Sequence, residues 1–351
     1  MEKGLTWAGA LLALATAAPL TRRQDWWVRV FDFPRLQIAV GLLGVGIAHA
    51  VVAKPTPRAQ AFRALLGLSF LVQVGHMLPY TRLARPQVQR SDHETPPSGI
   101  RLVFANVLQT NRDASRLLAQ IEDVDPDVIL TLETDQWWEE ALSGLSRTHP
   151  HRVLQPQDNT YGMLLYSRLE LLDAQVSFLI QDDVPSIHAR VRLGSGEEIT
   201  LHCLHPRPPA PGENSSSQER DAELLIVGRS MKQNPGPVIV MGDMNDVAWS
   251  HTSNLFRDVS GLLDPRIGRG FYNTFNAKHW LVRFPLDHFF HSNDFRLVDF
   301  RRLDAFGSDH FPVYIHLSHE PDAEQEQPEP ELTADQKEEA AEKIANGTGN
   351  K

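Results

Sequence analysis

The sequence predicts an α/β sandwich behind a group of apolar helices and ahead of an acidic tail. Three observations carry that reading. Residues 100–317 alternate short apolar runs with polar stretches of helical spacing. Residues 1–90 hold three apolar stretches almost free of charge. The net charge is uneven: +8 over residues 1–90, −11 over 91–319 and −7 over 320–351. A chain of 351 residues exceeds one typical domain, and a mean hydropathy of −0.29 excludes a polytopic transporter. A single cysteine, Cys203, excludes an intramolecular disulfide and any Cys-rich zinc module.

The apolar stretches lie at 5–20, 36–53 and 61–80, with Arg63 near the start of the third. A helix crosses a bilayer with about 20 apolar residues, so the second and third fit and the first is short. Gly41, Gly44 and Gly46 put small residues along the second, which permits close helix approach in lipid. Trp26, Trp27, Arg29 and Arg35 form the aromatic and basic mixture of a membrane surface. The competing reading is a cleaved leader before a buried helical hairpin. The first stretch lacks a strong basic flank and two more follow it, so residues 1–85 are read as a three-span anchor. Arg22, Arg23, Arg29, Arg35, Arg82, Arg85 and Arg90 fall on one side, against Lys3, Lys54 and Arg58 on the other. The positive-inside rule then puts the large C-terminal region in the cytoplasm.

Residues 86–99, with Pro86, Pro96, Pro97 and Gly99, read as a linker. Runs at 102–105, 128–132, 163–166, 199–204, 238–241 and 313–317 have the length of buried strands. Leu117, Leu118 and Ile121 recur at helical spacing, and Leu224, Leu225 and Ile226 form an apolar patch among charges. Both segments read as helices covering a sheet, and some 220 residues suffice for a sizeable core. Residues 318–351, acidic and Pro-containing, read as a disordered tail without chemistry. Within it Thr333-Ala334-Asp335-Gln336 has the form of a capping box before a solvated helix at 337–344.

The informative pattern is where the strands stop. The 102–105 run ends at Asn106, 128–132 at Glu133, 199–204 at His205-Pro206, and 238–241 at Gly242-Asp243-Met244-Asn245-Asp246. Asp287-His288 and Ser308-Asp309-His310 follow. A strand ending in a polar residue delivers that side chain to the rim of a sheet, where function collects. Singly, each has a structural explanation. Asn106 could be a turn residue, Glu133 a cap for a helix at 134–142, Gly242–Asn245 an Asx-turn, and Ser308-Asp309-His310 a cap or a structural His–Asp pair.

Taken in order, the set resembles the deoxyribonuclease-I-like endonuclease/exonuclease/phosphatase superfamily over residues 100–317. Gly242-Asp243-Met244-Asn245 with Ser308-Asp309-His310 is its specific part. The run His205-Pro206-Arg207-Pro208-Pro209, behind short apolar spans, resembles the bacterial membrane-anchored branch. The resemblance implies an α+β fold, a four-layer αββα sandwich of two mainly antiparallel sheets flanked by helices. It also implies a multi-pass protein of the bacterial inner membrane and a phosphodiester substrate, nucleic acid or lipid headgroup. The implied cofactor is Mg²⁺, with Mn²⁺ able to substitute.

On that resemblance Glu133 is an oxygen ligand for the ion, Asn106 a neutral oxygen supporting it, and Asp309 a further ligand. Asp243 accepts a proton from the attacking water, and Asn245 points an amide donor at the phosphoryl oxygen. His310 transfers a proton or contacts phosphate, with Asp309 or Asp287 holding its imidazole. His205 faces it across the scissile phosphate as a donor.

Other residues are read as structural. His202 falls on the opposite strand face from His205, and Cys203 belongs to the core. His288 is packing, Arg207 lies at the surface, and Tyr161-Gly162 shapes the rim. His149-Pro150-His151 has neither the spacing nor the partners of a zinc site. The −11 charge of residues 91–319 leaves no surplus cation for a long duplex. Nuclease action is preferred, and a phosphoinositide, sphingolipid or small phosphoester follows closely. A binding or scaffold domain without turnover is the alternative of another class, but none of the six expected side chains Asn106, Glu133, Asp243, Asn245, Asp287 and His310 is missing. No protein partner is indicated.

Overall fold

The protein, described here over residues 1–349, is a computed structural model. Its first helices are α1 (Glu2–Ala17), the short α2 (Trp26–Arg29), α3 (Arg35–Val52) and α4 (Pro57–Met77). Three segments are long and apolar enough to cross a membrane: Glu2–Thr21, Arg35–Val52 and Pro57–Tyr80. On α3, Val40, Leu43, Ile47 and Val51 face outward while Ile38 and Leu42 face the bundle, so the helix is apolar all round. Thr56 caps α4 by accepting the Ala59 amide, with Pro57 in the first turn where its missing N–H costs nothing. The close helix approach falls at Gly9, where a Cβ would lie 2.7 Å from the Phe62 ring. Of the three glycines expected to do this, Gly41 meets Leu12, while Gly44 and Gly46 have open space beside them.

The remaining chain runs β1 (Gly99–Asn106), α5 (Ser115–Val124), β2 (Val128–Leu132), α6 (Gln136–Leu142), β3 (His151–Gln155), β4 (Met163–Ser167), β5 (Leu171–Ser177) and β6 (Ser186–Arg192). It continues through β7 (Glu198–Leu204), α7 (Gln218–Gln233), β8 (Val238–Asp243), α8 (His251–Ser260), β9 (Asp287–His291), β10 (Phe295–Arg302), β11 (Val313–His319) and α9 (Ala334–Thr348). One sheet has the order β10-β11-β1-β2-β4-β3, the other β5-β6-β7-β8-β9. Their inner faces share one core, with Phe104, Leu130 and Ile315 from the first meeting Leu201, Met241 and Phe289 from the second. Helices α5 and α6 cover the outer face of the first sheet through Leu117, Ile121 and Trp138. Helices α7 and α8 cover the second through Leu224, Val227 and Phe256. The expected four-layer αββα arrangement is present.

Two outer segments differ from the sequence reading. The 86–99 linker is sewn to the sheet: Val88 is fully buried, Leu297 donates to the Gln89 carbonyl, and Ser91 donates back to Leu297. The expected solvated tail is docked. Its capping box forms at Thr333 and Gln336, and α9 then lies on α7 and α8 with Ala340 buried. The physical reason is a set of long-range contacts that composition cannot reveal, among them Gln336 to Asp258 at 2.6 Å and His251 to Glu339 at 2.6 Å. Lys343 reaches the buried Asp221 carboxylate of α7 at 2.8 Å, and Gly347 lies so close to Ala222 that a Cβ would meet it at 2.4 Å.

Candidate active site

Strand polarity explains how distant residues meet. β1 and β2 run parallel, as do β7 and β8, so each pair ends together. β11 runs against β1 and β9 against β8, so both begin where those strands end. Asn106, Glu133, His205, Asp243, Asp287 and His310 therefore gather at one rim of the sandwich. Gly242 permits the close approach of β8 to β7, for at its φ of 147° a Cβ would sit 1.9 Å from the Leu204 carbonyl oxygen. Glu133 and Asn245 hold left-handed backbone angles, φ 58° and 50°, of the kind that cluster at functional sites.

The centre is an imidazole between two carboxylates. His310 Nδ1 lies 2.9 Å from Asp287 Oδ2, and its Nε2 lies 3.6 Å from Asp243 Oδ2. Burial alone would lower the His310 pKa, but the charges of Asp287 and Asp243 outweigh it and raise it. Burial also pushes Asp243 up, helped by the charge of Asp287 and opposed by that of His310. Asn106 lies beneath, its amide nitrogen donating to Glu133 Oε1 at 2.8 Å and Asp243 Oδ2 at 3.2 Å. Glu133 is raised by burial despite that hydrogen bond. The Ser308 hydroxyl ties the His310 loop to the end of β1, donating to the Asn106 carbonyl at 2.8 Å and accepting the His310 amide at 3.0 Å. The resulting cavity, about 440 Å³, has Glu133, His205, Asp243, Asn245, Asp309 and His310 in its lining.

Such a set on such a rim can be compared with known proteins. The model of the endonuclease/exonuclease/phosphatase family matches residues 103–310, more than half of the chain. The chain belongs to that family. No curated protein sequence matches it. Among solved structures, D. rerio TDP2 complexed with single strand DNA product is 18% identical, with a TM-score of 0.51 over 63% of this chain and 99% of that one. An endonuclease/exonuclease/phosphatase from Bacteroides vulgatus is 16% identical, with a TM-score of 0.51 over 63% and 99%. The human Nocturnin catalytic domain with bound sulfate is 18% identical, with a TM-score of 0.51 over 66% and 98%. These likenesses show a shared fold. Membership makes the chain one of a family of nucleases, phosphatases and phosphodiesterases, hydrolases of phosphate esters.

Several details sharpen or correct the sequence reading of this family member. Asp287, not Asp309, holds the His310 imidazole, because β9 starts directly behind it. Asn106 turns its nitrogen to the carboxylates and braces the acids, while its oxygen accepts the Leu108 amide at 3.1 Å. Asn245 lines the cavity, but one of its amide hydrogens is taken by the Pro206 carbonyl at 3.0 Å. His205 is buried against the Tyr161 ring, and burial, then the charge of His310, lowers its pKa to about 3. It is a neutral hydrogen-bond donor, not an acid. His202 pairs with His188 at 2.6 Å, away from the site. Arg207 pairs with Asp183 and stacks on Tyr161, and Cys203 is core.

The donors fit a hard divalent cation of the kind this family generally uses. Asp243, Asp287 and His310 offer ligand atoms within 4.8 Å of one another, but His310 Nδ1 is committed to Asp287. That leaves Glu133 and Asp309, which line the same cavity, where Arg29 is the only Lys or Arg among the described lining residues. The sequence reading missed two contributors. Arg220, fully buried on α7, donates to the Asn245 carbonyl at 2.7 Å and pairs with Asp246, fixing the loop after β8. Trp26 and Arg29, read as membrane-surface residues, line the cavity together with Val30 and Phe33. No short motif marks either: a helix interior and a connection between two apolar helices reach the site only through folding.

Proposed function

We propose that the chain is a membrane-anchored, divalent-metal-dependent phosphodiester hydrolase. The observation that carries the reading is the buried Asp287–His310–Asp243 alignment beside the Glu133 and Asp309 carboxylates. Asp243, its proton affinity raised by burial, takes the proton of the attacking water as the water oxygen bonds to phosphorus. His310, held charged by Asp287, steadies the carboxylate and can donate from Nε2 toward a phosphoryl oxygen. The second amide hydrogen of Asn245 and the neutral His205 add donors around the phosphate. A divalent cation held by Glu133 and Asp309 would offset charge on the phosphate and the departing oxygen. The ester P–O bond opposite the water then breaks, the departing oxygen takes a proton from bulk water, and Asp243 returns its own to solvent.

Three long apolar helices support the anchor, and the arginine excess at 22–35 and 82–90 favours a cytoplasmic catalytic domain at a bacterial inner membrane. The test uses the whole chain, because anchor and linker both pack on the sandwich. Detergent-solubilised protein with Mg²⁺ is expected to hydrolyse bis-p-nitrophenyl phosphate, to stop in EDTA and to recover with Mg²⁺ or Mn²⁺. Turnover that persists in EDTA would sink the metal-dependent reading. Recovery of the chain in the soluble fraction after alkaline wash would sink the anchor.

A further inference from the structure

One wall of the active-site cavity comes from the anchor. Trp26, Arg29, Val30 and Phe33, in the connection between α1 and α3, share the cavity lining with Phe275 and Leu286. Arg29 is the only Lys or Arg among the described residues lining it. Its side chain is 4% exposed, Nη1 lies 2.9 Å from Asp32 and Nη2 3.6 Å from Asp246. Yet Nε and Nη2 find no hydrogen-bond partner among the described residues. Both atoms are sealed from the surface, so Arg29 acts on the cavity as a buried positive charge behind its lining, shared with Asp32 and Asp246.

The opposite lip also leans toward the anchor. Between Phe275 and Leu286 the chain exposes Trp280 at 77% and Leu281 at 62%, with Lys278 and Arg283 beside them. Gln37 of α3 donates to the Leu281 carbonyl at 2.7 Å, and a second cavity of about 750 Å³ between loop and helix is lined by Leu36, Val40, Trp280 and Leu281. This lip therefore sits at the end of a membrane-crossing helix with its apolar side chains outward. Aromatic, aliphatic and basic residues together are the composition of a bilayer interface.

We propose that the substrate is a membrane phospholipid, reaching the site from the bilayer over the apolar rim that residues 26–33 and 275–286 form together, where Phe33 packs on Phe284. Its phosphate lies at the catalytic rim within the field of the buried Arg29 charge, and its apolar part lies along Trp26, Val30 and Phe33. The inference rests on the phosphodiester-hydrolase reading. A nucleic-acid strand needs several cations along its track, and this cavity supplies one. In the reaction water oxygen bonds to phosphorus, one P–O ester bond breaks, and the freed alcohol carries the proton, converting a phosphate diester to a monoester.

The test is the full chain reconstituted with Mg²⁺ in vesicles of phosphatidylethanolamine and phosphatidylglycerol, followed by phosphorus NMR. Bis-p-nitrophenyl phosphate and a single-stranded DNA oligonucleotide are run in parallel. Lipid diester is expected to become monoester at least about tenfold faster than DNA is cut, a difference of about 1.4 kcal/mol. DNA cleavage at an equal or higher rate, or intact lipid beside a hydrolysed nitrophenyl diester, overturns the lipid inference and leaves the hydrolase reading standing. No turnover of any of the three overturns both. Val30→Asp, at a position 45% exposed and so tolerant of substitution, is expected to lower lipid turnover about tenfold or more. An unchanged rate removes the apolar wall from the proposal. Arg29→Gln is expected to raise KM for the nitrophenyl diester, and Arg29→Lys, which keeps the charge, to leave it near the parent value. An unchanged KM in Arg29→Gln, or a raised one in Arg29→Lys, removes the Arg29 charge from the proposal.

Discussion

Replacing Asp287 with Asn separates charge from shape at the centre of the site. The side chains are nearly isosteric, so the amide oxygen of Asp287→Asn can still accept the His310 Nδ1 hydrogen where the carboxylate does at 2.9 Å. What vanishes is the negative charge beside a buried imidazole. Two unit charges about 4 Å apart at an effective dielectric of about 20 interact by about 4 kcal/mol. That is an upper bound, since the amide keeps a neutral hydrogen bond worth about 1 kcal/mol. A loss of about 3–4 kcal/mol corresponds to a fall in kcat of about 10²–10³. Asp287 does not line the cavity, so KM for bis-p-nitrophenyl phosphate is expected to stay within about threefold of the parent value. The assay is steady-state hydrolysis by the detergent-solubilised full chain, with a thermal melt to confirm folding. A folded variant whose kcat stays within about threefold would refute the argument that Asp287 keeps His310 charged for turnover.

Other outcomes follow from the same structure. Glu133→Gln removes a charge from the expected ion ligands; loss of even an outer partner costs about 10–100-fold in metal affinity, so calorimetric titration should show Mg²⁺ bound at least about tenfold more weakly. Lys343→Met strips the tail's cation from buried Asp221, which keeps Arg220, so stability should fall by about 1–3 kcal/mol, read as a lower Tm and easier proteolytic loss of the C-terminus. Glu223, buried on α7, has its pKa raised by burial from 4.5 to about 8. Folding therefore keeps a proton that the unfolded chain releases, and stability declines as pH rises from about 4.5 to about 8. Glu223→Gln removes that dependence, so its Tm advantage over the parent should be larger at pH 9 than at pH 5; an equal advantage at both would refute the buried neutral acid.

Much of the site was legible because its residues terminate apolar runs. Glu133, His205 and Asp243 each end or follow a run of buried-strand length, and a strand end must lie at a sheet rim. Ser308-Asp309-His310 was legible as a motif, with the serine now seen tying that loop to β1. The choice between Asp287 and Asp309 as partner of His310 was not legible. Neighbours in sequence point apart, and only the pairing of β9 with β8 sets Asp287 behind the ring. Likewise Asn106 was read through its oxygen, and the bracing of Glu133 and Asp243 by its amide nitrogen was not legible. The tail misled for a related reason: its composition is that of a solvated segment, but Lys343 and Gly347 have a buried acid and a close helix to meet.

The chain's own order of residues determined its layers, its apolar helices and the polar residues that cap its strands. These follow from local periodicity and from the transfer of side chains between water and apolar surroundings. Tertiary structure alone decided which carboxylate serves the histidine, and that the segment between two apolar N-terminal helices lines the candidate catalytic cavity. Those contacts join positions as far apart as Arg29 and Asp246, where no sequence period links the partners and only packing of the whole chain brings their charges together.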